Sequence, residues 1–184
     1  MSTEQEQLGD ETPRQHSPRS SLMGIEYSTY VLTATAVAVA GVTFIFGCTS
    51  AKAQTSIIVH GPSHHFTLHS SGRAWNEFNA GIGIRREFSA DFSGQVGMYH
   101  NSLYRTSAYA SVDYTPLHVG RFAAGGFAAL ATGYRSGVTP AGGALLRWQG
   151  DKASVAVRLV PKISSMKDDA PGMVSVEFGW RFWS

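Results

Sequence analysis

Residues 173–183 read MVSVEFGWRFW. Successive side chains of an extended strand point to opposite faces, so Val174, Val176, Phe178, Trp180 and Phe182 share one side and Ser175, Glu177, Gly179 and Arg181 the other. One face is large and apolar, while the other carries charge and glycine. A strand of a soluble sandwich shows the same alternation, so this segment alone leaves two architectures open.

Repetition of the pattern decides between them. In NAGIGIRREF, Ala80, Ile82 and Ile84 alternate with Gly81, Gly83 and Arg85. In AYASVDY, Ala108, Ala110, Val112 and Tyr114 alternate with Tyr109, Ser111 and Asp113. In KASVAVRLV, Ala153, Val155, Val157 and Leu159 alternate with Ser154, Ala156, Arg158 and Val160. Charges on an inner face need partners, and Arg85, Asp113, Arg158, Glu177 and Arg181 are candidates to supply them for one another. An apolar exterior around a charged interior is inverted relative to a soluble protein and suits a lipid-facing barrel. Strand-like segments fall near 55–60, 76–88, 92–100, 104–114, 121–134, 143–149, 153–160 and 173–183. The pattern therefore predicts an all-β, eight-stranded, antiparallel up-and-down transmembrane barrel, small enough for side chains to fill its lumen. The ending Phe182-Trp183-Ser184 resembles the aromatic C-terminal signature of bacterial outer-membrane proteins, displaced by two residues.

Composition agrees. Charged residues make up 15% of the 184 positions and glycine occupies 20, against a soluble norm of about 25% charged. The net charge of +2, without a basic stripe interleaved with aromatics, argues against a nucleic-acid partner. The lone Cys48 can form no internal disulfide. Residues 1–27 are polar, with Glu4, Glu6, Asp10, Glu11 and Glu26 against Arg14 and Arg19, a composition that reads as disorder. Tyr30–Gly47 then runs eighteen residues without a charge, and Ala51-Lys52-Ala53 follows. This is the order of a signal peptide cleaved after Ala53. Residues 1–53 are thus assigned to leader and signal, and 54–184 to the barrel. An uncleaved anchor and a lipoprotein signal at Cys48 remain as alternatives.

In an up-and-down barrel with both ends in the periplasm, the odd connections face outward. The first, HGPSHHFTLHSSGRAW, carries His60, His64, His65 and His69; the third is HNSLYR, with Asn101 and Ser102. The second and fourth, EFSAD and TPLHVG, are compact, as periplasmic turns are. The histidines and the Asn101-Ser102 turn therefore share the outer rim. A neutral imidazole beside a serine hydroxyl is the minimum apparatus for acyl chemistry. The plain readings stand beside it: Asn-Ser is ordinary turn chemistry, and His60, His64 and His65 are close enough in sequence to hold Zn²⁺ loosely.

Taken in order, SHHF, WNEFNAGIGI, VGMYHNSLYRTSAYASVDY, FAALATGY and VSVEFGWRF resemble the lipid A palmitoyltransferase family (PagP) of bacterial outer membranes. The resemblance implies an eight-stranded barrel that moves an acyl chain from a phospholipid to lipid A without a cofactor or metal, using a histidine in the first outer loop and an Asp-Ser pair in the next. The family histidine falls on His65, ten residues before Trp75; the serine falls on Ser102. The aspartate falls on Asn101, an amide that can orient a neighbour but carries no charge. A monomer in the outer membrane with membrane lipids as partners is the corresponding expectation. A second resemblance is to the lipid A 3-O-deacylases, through the His-x-Ser arrangement of His100 and Ser102. A non-enzymatic barrel for structure, adhesion or small-solute passage is the third reading. The lumen separates these readings, since an acyl-measuring enzyme needs an apolar, dry upper half. Arg85, Arg158, Glu177 and Arg181 are expected toward the periplasmic end, and Met98, Phe127, Trp148 and Trp180 on the lipid face or rim. GGFAALATG (125–133) reads as crowding relief and SSMKDDAPG (164–172) as a solvated tip.

Overall fold

The computed structural model describes residues 54–66, 74–134, 137–162 and 172–183. The leader and signal assignment for 1–53, His69 and most of the 164–172 tip lie outside the described residues. Eight strands follow in order: β1 Thr55–His65, β2 Phe78–Glu87, β3 Phe92–His100, β4 Thr106–Val119, β5 Phe122–Tyr134, β6 Gly137–Gln149, β7 Ala153–Val160 and β8 Met173–Trp183. Each pairs antiparallel with its neighbour, and β1 closes on β8. The expected all-β, eight-stranded antiparallel barrel is the fold observed, with β1, β4 and β6 longer than their alternation indicated.

The alternation dictates which side chains face out. Val59, Ile82, Leu130, Leu146, Phe178 and Trp180 are exposed on the outer wall, whereas Arg85, Gln95, Asp113, Arg147, Arg158 and Glu177 are buried in the lumen. In lipid no backbone group finds water, and closure leaves no strand edge unpaired. An apolar outer wall around a polar centre is the polarity such a surface requires. Phe92 and Tyr114 stack on it at 4.6 Å; with Phe122 and Phe182 they form an aromatic girdle near the end that carries the β2–β3 turn.

Arg158 is the hub of the lumen. Its Nε donates to Glu177 Oε1 at 2.7 Å and its two terminal nitrogens to Asp113 at 2.9 and 3.1 Å, with Gln95 Oε1 at 3.1 Å. Arg147, which the alternation did not single out, also pairs with Asp113. Arg85 instead donates to Ser154 at 2.9 Å, and Arg181 donates to the Asp151 carbonyl at 2.9 Å. The expected pairing among the inward charges is thus correct for Arg158, Asp113 and Glu177 and incorrect for Arg85 and Arg181. Phe127 is not on the lipid face: its parity places it inward, with its ring 4.6 Å from the Arg158 guanidinium carbon, a cation–π contact.

Nor is the upper lumen apolar. Glu177 pairs with His60, halfway along β1, so the cluster of Arg158, Asp113 and Glu177 sits at mid-barrel, whereas Arg85 and Arg181, both opposite Ser56, lie as expected toward the end that carries the β2–β3 turn. Above the cluster lie Tyr109, whose hydroxyl meets His60 Nε2 and Gln95 Nε2 at 2.7 Å each, and Tyr99, bonded to Tyr134 at 3.1 Å. A cavity of roughly 100 Å³, bounded by His60, Tyr99, Tyr109, Phe127 and Glu177, remains. It is well below the about 300–1,000 Å³ of an ordinary small-molecule pocket, too little to enclose a long acyl chain. The Tyr109 ring fits because glycines face it: a Cβ on Gly83 would stand 2.4 Å from the Tyr109 hydroxyl and one on Gly97 2.8 Å from its ring.

Two outcomes follow for the folded barrel in lipid vesicles. Arg158→Leu takes from Glu177 its guanidinium partner, leaves Asp113 with Arg147 alone and costs about 3–5 kcal/mol, read as a lowered urea midpoint. Gly83→Val drives Tyr109 off His60 and costs about 1–3 kcal/mol by overpacking; a midpoint at the wild-type value would show that the ring relocates freely.

Candidate functional site

Three segments meet at the rim opposite the β2–β3 turn: the end of β1, the strap 74–77 that leads into β2, and the turn 101–105 between β3 and β4. What aims β1 is a bulge. Ser56, Ile58 and His60 face the lumen in the regular part of the strand. The pairing with β8 then jumps from His60↔Glu177 to Ser63↔Ser175, three residues against two. An extra residue in one strand reverses which side chains face in. Beyond Gly61-Pro62 it is Ser63 and His65 that are buried, while His64 is exposed. Proline favours this break because it has no N–H for the ladder. Without the bulge His65 would point at lipid.

The turn is organised by Asn101, which is fully buried. Its Oδ1 accepts the backbone N–H of Leu103 and of Arg105, both at 2.9 Å. Its Nδ2 donates to Ser107 Oγ at 2.9 Å and to the Gly133 carbonyl at 3.1 Å. An Asx-type turn of this kind closes the loop with the side chain acting as a piece of backbone. Tyr104 adopts φ 60° within it, a left-handed conformation that the surrounding bonds must hold. The strap is tied to the turn from the other side: Asn76 N–H donates to the Ser102 carbonyl at 3.1 Å and Asn76 Nδ2 to the Asn101 carbonyl at 3.1 Å.

These constraints bring His65 and Ser102 together, with Nε2 to Oγ at 2.8 Å. They come from opposite ends of a 37-residue separation, and only 6% and 5% of their surfaces remain exposed. The Trp75 ring stacks on the imidazole at 5.1 Å and shields it. Where the Ser102 hydroxyl donates to Nε2, the imidazole proton resides on Nδ1. Nδ1 is buried with no hydrogen-bond partner, and the nearest anion is Glu77, whose Oε1 stands at 3.8 Å.

Glu77 is held where it is by β1. Its Oε1 accepts the His65 backbone N–H at 3.1 Å and its Oε2 meets His64 Nδ1 at 3.1 Å. Its own carbonyl accepts Ser63 N–H at 2.7 Å. The backbone N–H of His65, and after it the His64 side chain, hold its carboxyl below the usual carboxylate range. It is therefore an anion at neutral pH. Alternation did not single out Glu77, although the strand-like segment near 76–88 included it; β2 begins one residue later, at Phe78, and the only trace of Glu77 was within WNEFNAGIGI.

Of the three expected site residues, His65 and Ser102 are in contact. Asn101 lies next to them in sequence but spends all its amide bonds inside the turn. His100 is not directed at Ser102: its ring lies beside Tyr104 at 6.3 Å. The histidines do not gather round a metal either. His60 turns to Tyr109, His64 to Glu77 and His65 to Ser102, and among the described residues no group of three His, Cys, Asp or Glu stands close enough to hold one.

Comparison with known proteins adds little to this geometry. No protein-family model matches the chain, and no curated protein matches it by sequence. Among solved structures the chain is similar to the outer membrane protein OprG from Pseudomonas aeruginosa, at 12% identity and a TM-score of 0.34, over 72% of this chain and 95% of that one.

Proposed function

We propose that the chain is an outer-membrane acyl-transfer enzyme acting on lipid esters of the outer leaflet, with His65 as general base and Ser102 as the activated hydroxyl. The observation that carries the reading is the buried 2.8 Å contact between His65 Nε2 and Ser102 Oγ, made by residues brought from two different connections. A base within hydrogen-bond reach of a hydroxyl is the first geometric demand of nucleophilic acyl transfer. The depth of the site supports a lipid substrate. Each contributing segment carries an exposed aromatic next to its site residue: Phe66 after His65, Phe78 after Glu77 and Tyr104 two residues past Ser102. Aromatic side chains collect at the membrane–water interface, the level at which the ester groups of lipids lie. Phospholipid as donor and lipid A as acceptor are the substrates that the resemblance to lipid A palmitoyltransferases supplies.

In this mechanism the filled lumen does not measure the acyl chain, which must lie against the outer wall or the rim. The same filled lumen favours the second reading, a non-enzymatic barrel serving structure or adhesion. Arg158, Asp113, Glu177 and Gln95 bridge the interior from four strands, which argues against passage of a solute.

Mass spectrometry of lipid A and phospholipids from an outer-membrane-competent host separates the readings. Expression of the wild-type chain adds one acyl mass to lipid A, and Ser102→Ala reduces the product by about 100-fold or more. Loss of an acyl mass would instead assign hydrolysis. An unchanged profile with a correctly inserted barrel would leave the non-enzymatic reading. His65→Ala removes the base and lowers the product about as far as Ser102→Ala does, although the barrel still assembles; full activity in that variant would sink the site.

A further inference from the structure

The geometry points to Glu77 as the carboxylate that positions and charge-stabilises His65, so that the site is a Ser102–His65–Glu77 relay and Asn101 is the scaffold of its turn. This rests on the reading of Ser102 as nucleophile. The family aspartate aligned with Asn101 made that position the natural place to look for an acid. The structure instead puts the acid on the far side of the imidazole, on the strap before β2.

Three observations support the assignment. First, His65 Nδ1 is buried and unpartnered, and Glu77 Oε1 lies 3.8 Å from it. A shift of about 1 Å turns that approach into a charge-assisted hydrogen bond, and catalytic contacts are often long before substrate binds. Second, Glu77 is fastened at both oxygens, by the His65 N–H and by His64, so it approaches Nδ1 from a fixed direction. Third, Asn101 has no oxygen to spare. Its Oδ1 already accepts two backbone N–H groups and its Nδ2 donates to the Gly133 carbonyl. A carboxylate there would set an acceptor against an acceptor at a fully buried position.

The step that tests this is modification of Ser102 by a fluorophosphonate probe. Ser102 Oγ attacks phosphorus, the O–P bond forms, the P–F bond breaks and fluoride departs, while the hydroxyl proton passes to His65 Nε2. The imidazolium so formed carries its second proton on Nδ1, facing Glu77. The rate of labelling, read by intact-protein mass spectrometry on full-length barrel folded in phospholipid vesicles, therefore reports nucleophile activation without knowledge of the lipid substrate. Unheated gel mobility checks that each variant is folded.

The expected result is labelling that requires Ser102, is lost in Ser102→Ala, and slows about 10- to 100-fold in Glu77→Gln, the range a hydrogen bond to a charged group supplies. Glutamine keeps an acceptor for the His65 N–H, so a merely structural Glu77 would leave the rate unchanged. Asn101→Asp, which restores the family acid, gives no gain in rate and lowers barrel stability. Labelling of Glu77→Gln at the wild-type rate, or faster labelling of Asn101→Asp, overturns the assignment of Glu77 while leaving Ser102 as nucleophile. Wild-type protein that labels no faster than Ser102→Ala overturns the nucleophile itself and the relay with it.

Discussion

The ion cluster centred on Arg158 is the constraint on which the rest of the barrel depends. Lipid surrounds the outer wall and gives Val, Ile, Leu and Phe no reason to turn inward, so the lumen must be held by what its own side chains do to one another. One guanidinium satisfies Asp113 from β4, Glu177 from β8 and Gln95 from β3, and Asp113 in turn takes Arg147 from β6. Charges buried at this depth are tolerable only when paired and hydrogen-bonded. The cluster therefore fixes the relative register of strands that are not neighbours. Glycines at 83 and 97 then leave room for Tyr109 to cap it, and Tyr109 hands the network on to His60.

That cluster also leaves the contact between His65 and Ser102 at the rim, beyond a filled centre. With the centre cross-linked and a cavity of roughly 100 Å³ above it, the lumen acts as a plug. A plug is also a platform. His60 is anchored between Tyr109 and Glu177, and the bulge begins immediately after it. The rigid interior thus sets the point at which β1 changes parity, and that change delivers His65 to Ser102. A constellation held by packed neighbours and satisfied bonds is what acyl transfer demands of its geometry.

Much of this was legible in the sequence because a period of two is a geometric property of every strand. The outward and inward sets of β2, β4, β7 and β8 could be read directly from Ile82/Arg85, Val112/Asp113, Val157/Arg158 and Phe178/Glu177. Parity of connections likewise placed His65 and Ser102 on one rim. What alternation cannot carry is its own interruption. The bulge at Gly61-Pro62 ended the readable strand at His60, so His64 and His65 looked like loop residues although β1 runs on to His65. Phe127 was assigned outward because it is large and aromatic, when its parity with Ala123 and Ala131 puts it inside. Arg147 sits in a strand whose Gly and Pro content hid its period. Residues of the strap were beyond any such rule: Asn76 and Glu77 act through bonds to a turn and a strand distant in sequence, and only the folded chain shows them.

The exchange at position 101 illustrates how far a local motif can mislead about charge. Aspartate and asparagine share a shape, and each closes an Asx turn with one oxygen. They differ in the second atom, which here must be a donor because it faces the Gly133 carbonyl and the Ser107 hydroxyl; that hydroxyl itself donates to the Thr132 carbonyl. The turn therefore selects the amide on its own account, whatever the imidazole needs. A histidine that forms an imidazolium still gains from a nearby anion. Once the turn has claimed position 101, that anion has to come from another element. The strap supplies it, because the same β1 backbone that carries His65 binds the Glu77 carboxylate through the His65 N–H, which couples base and acid through a single residue.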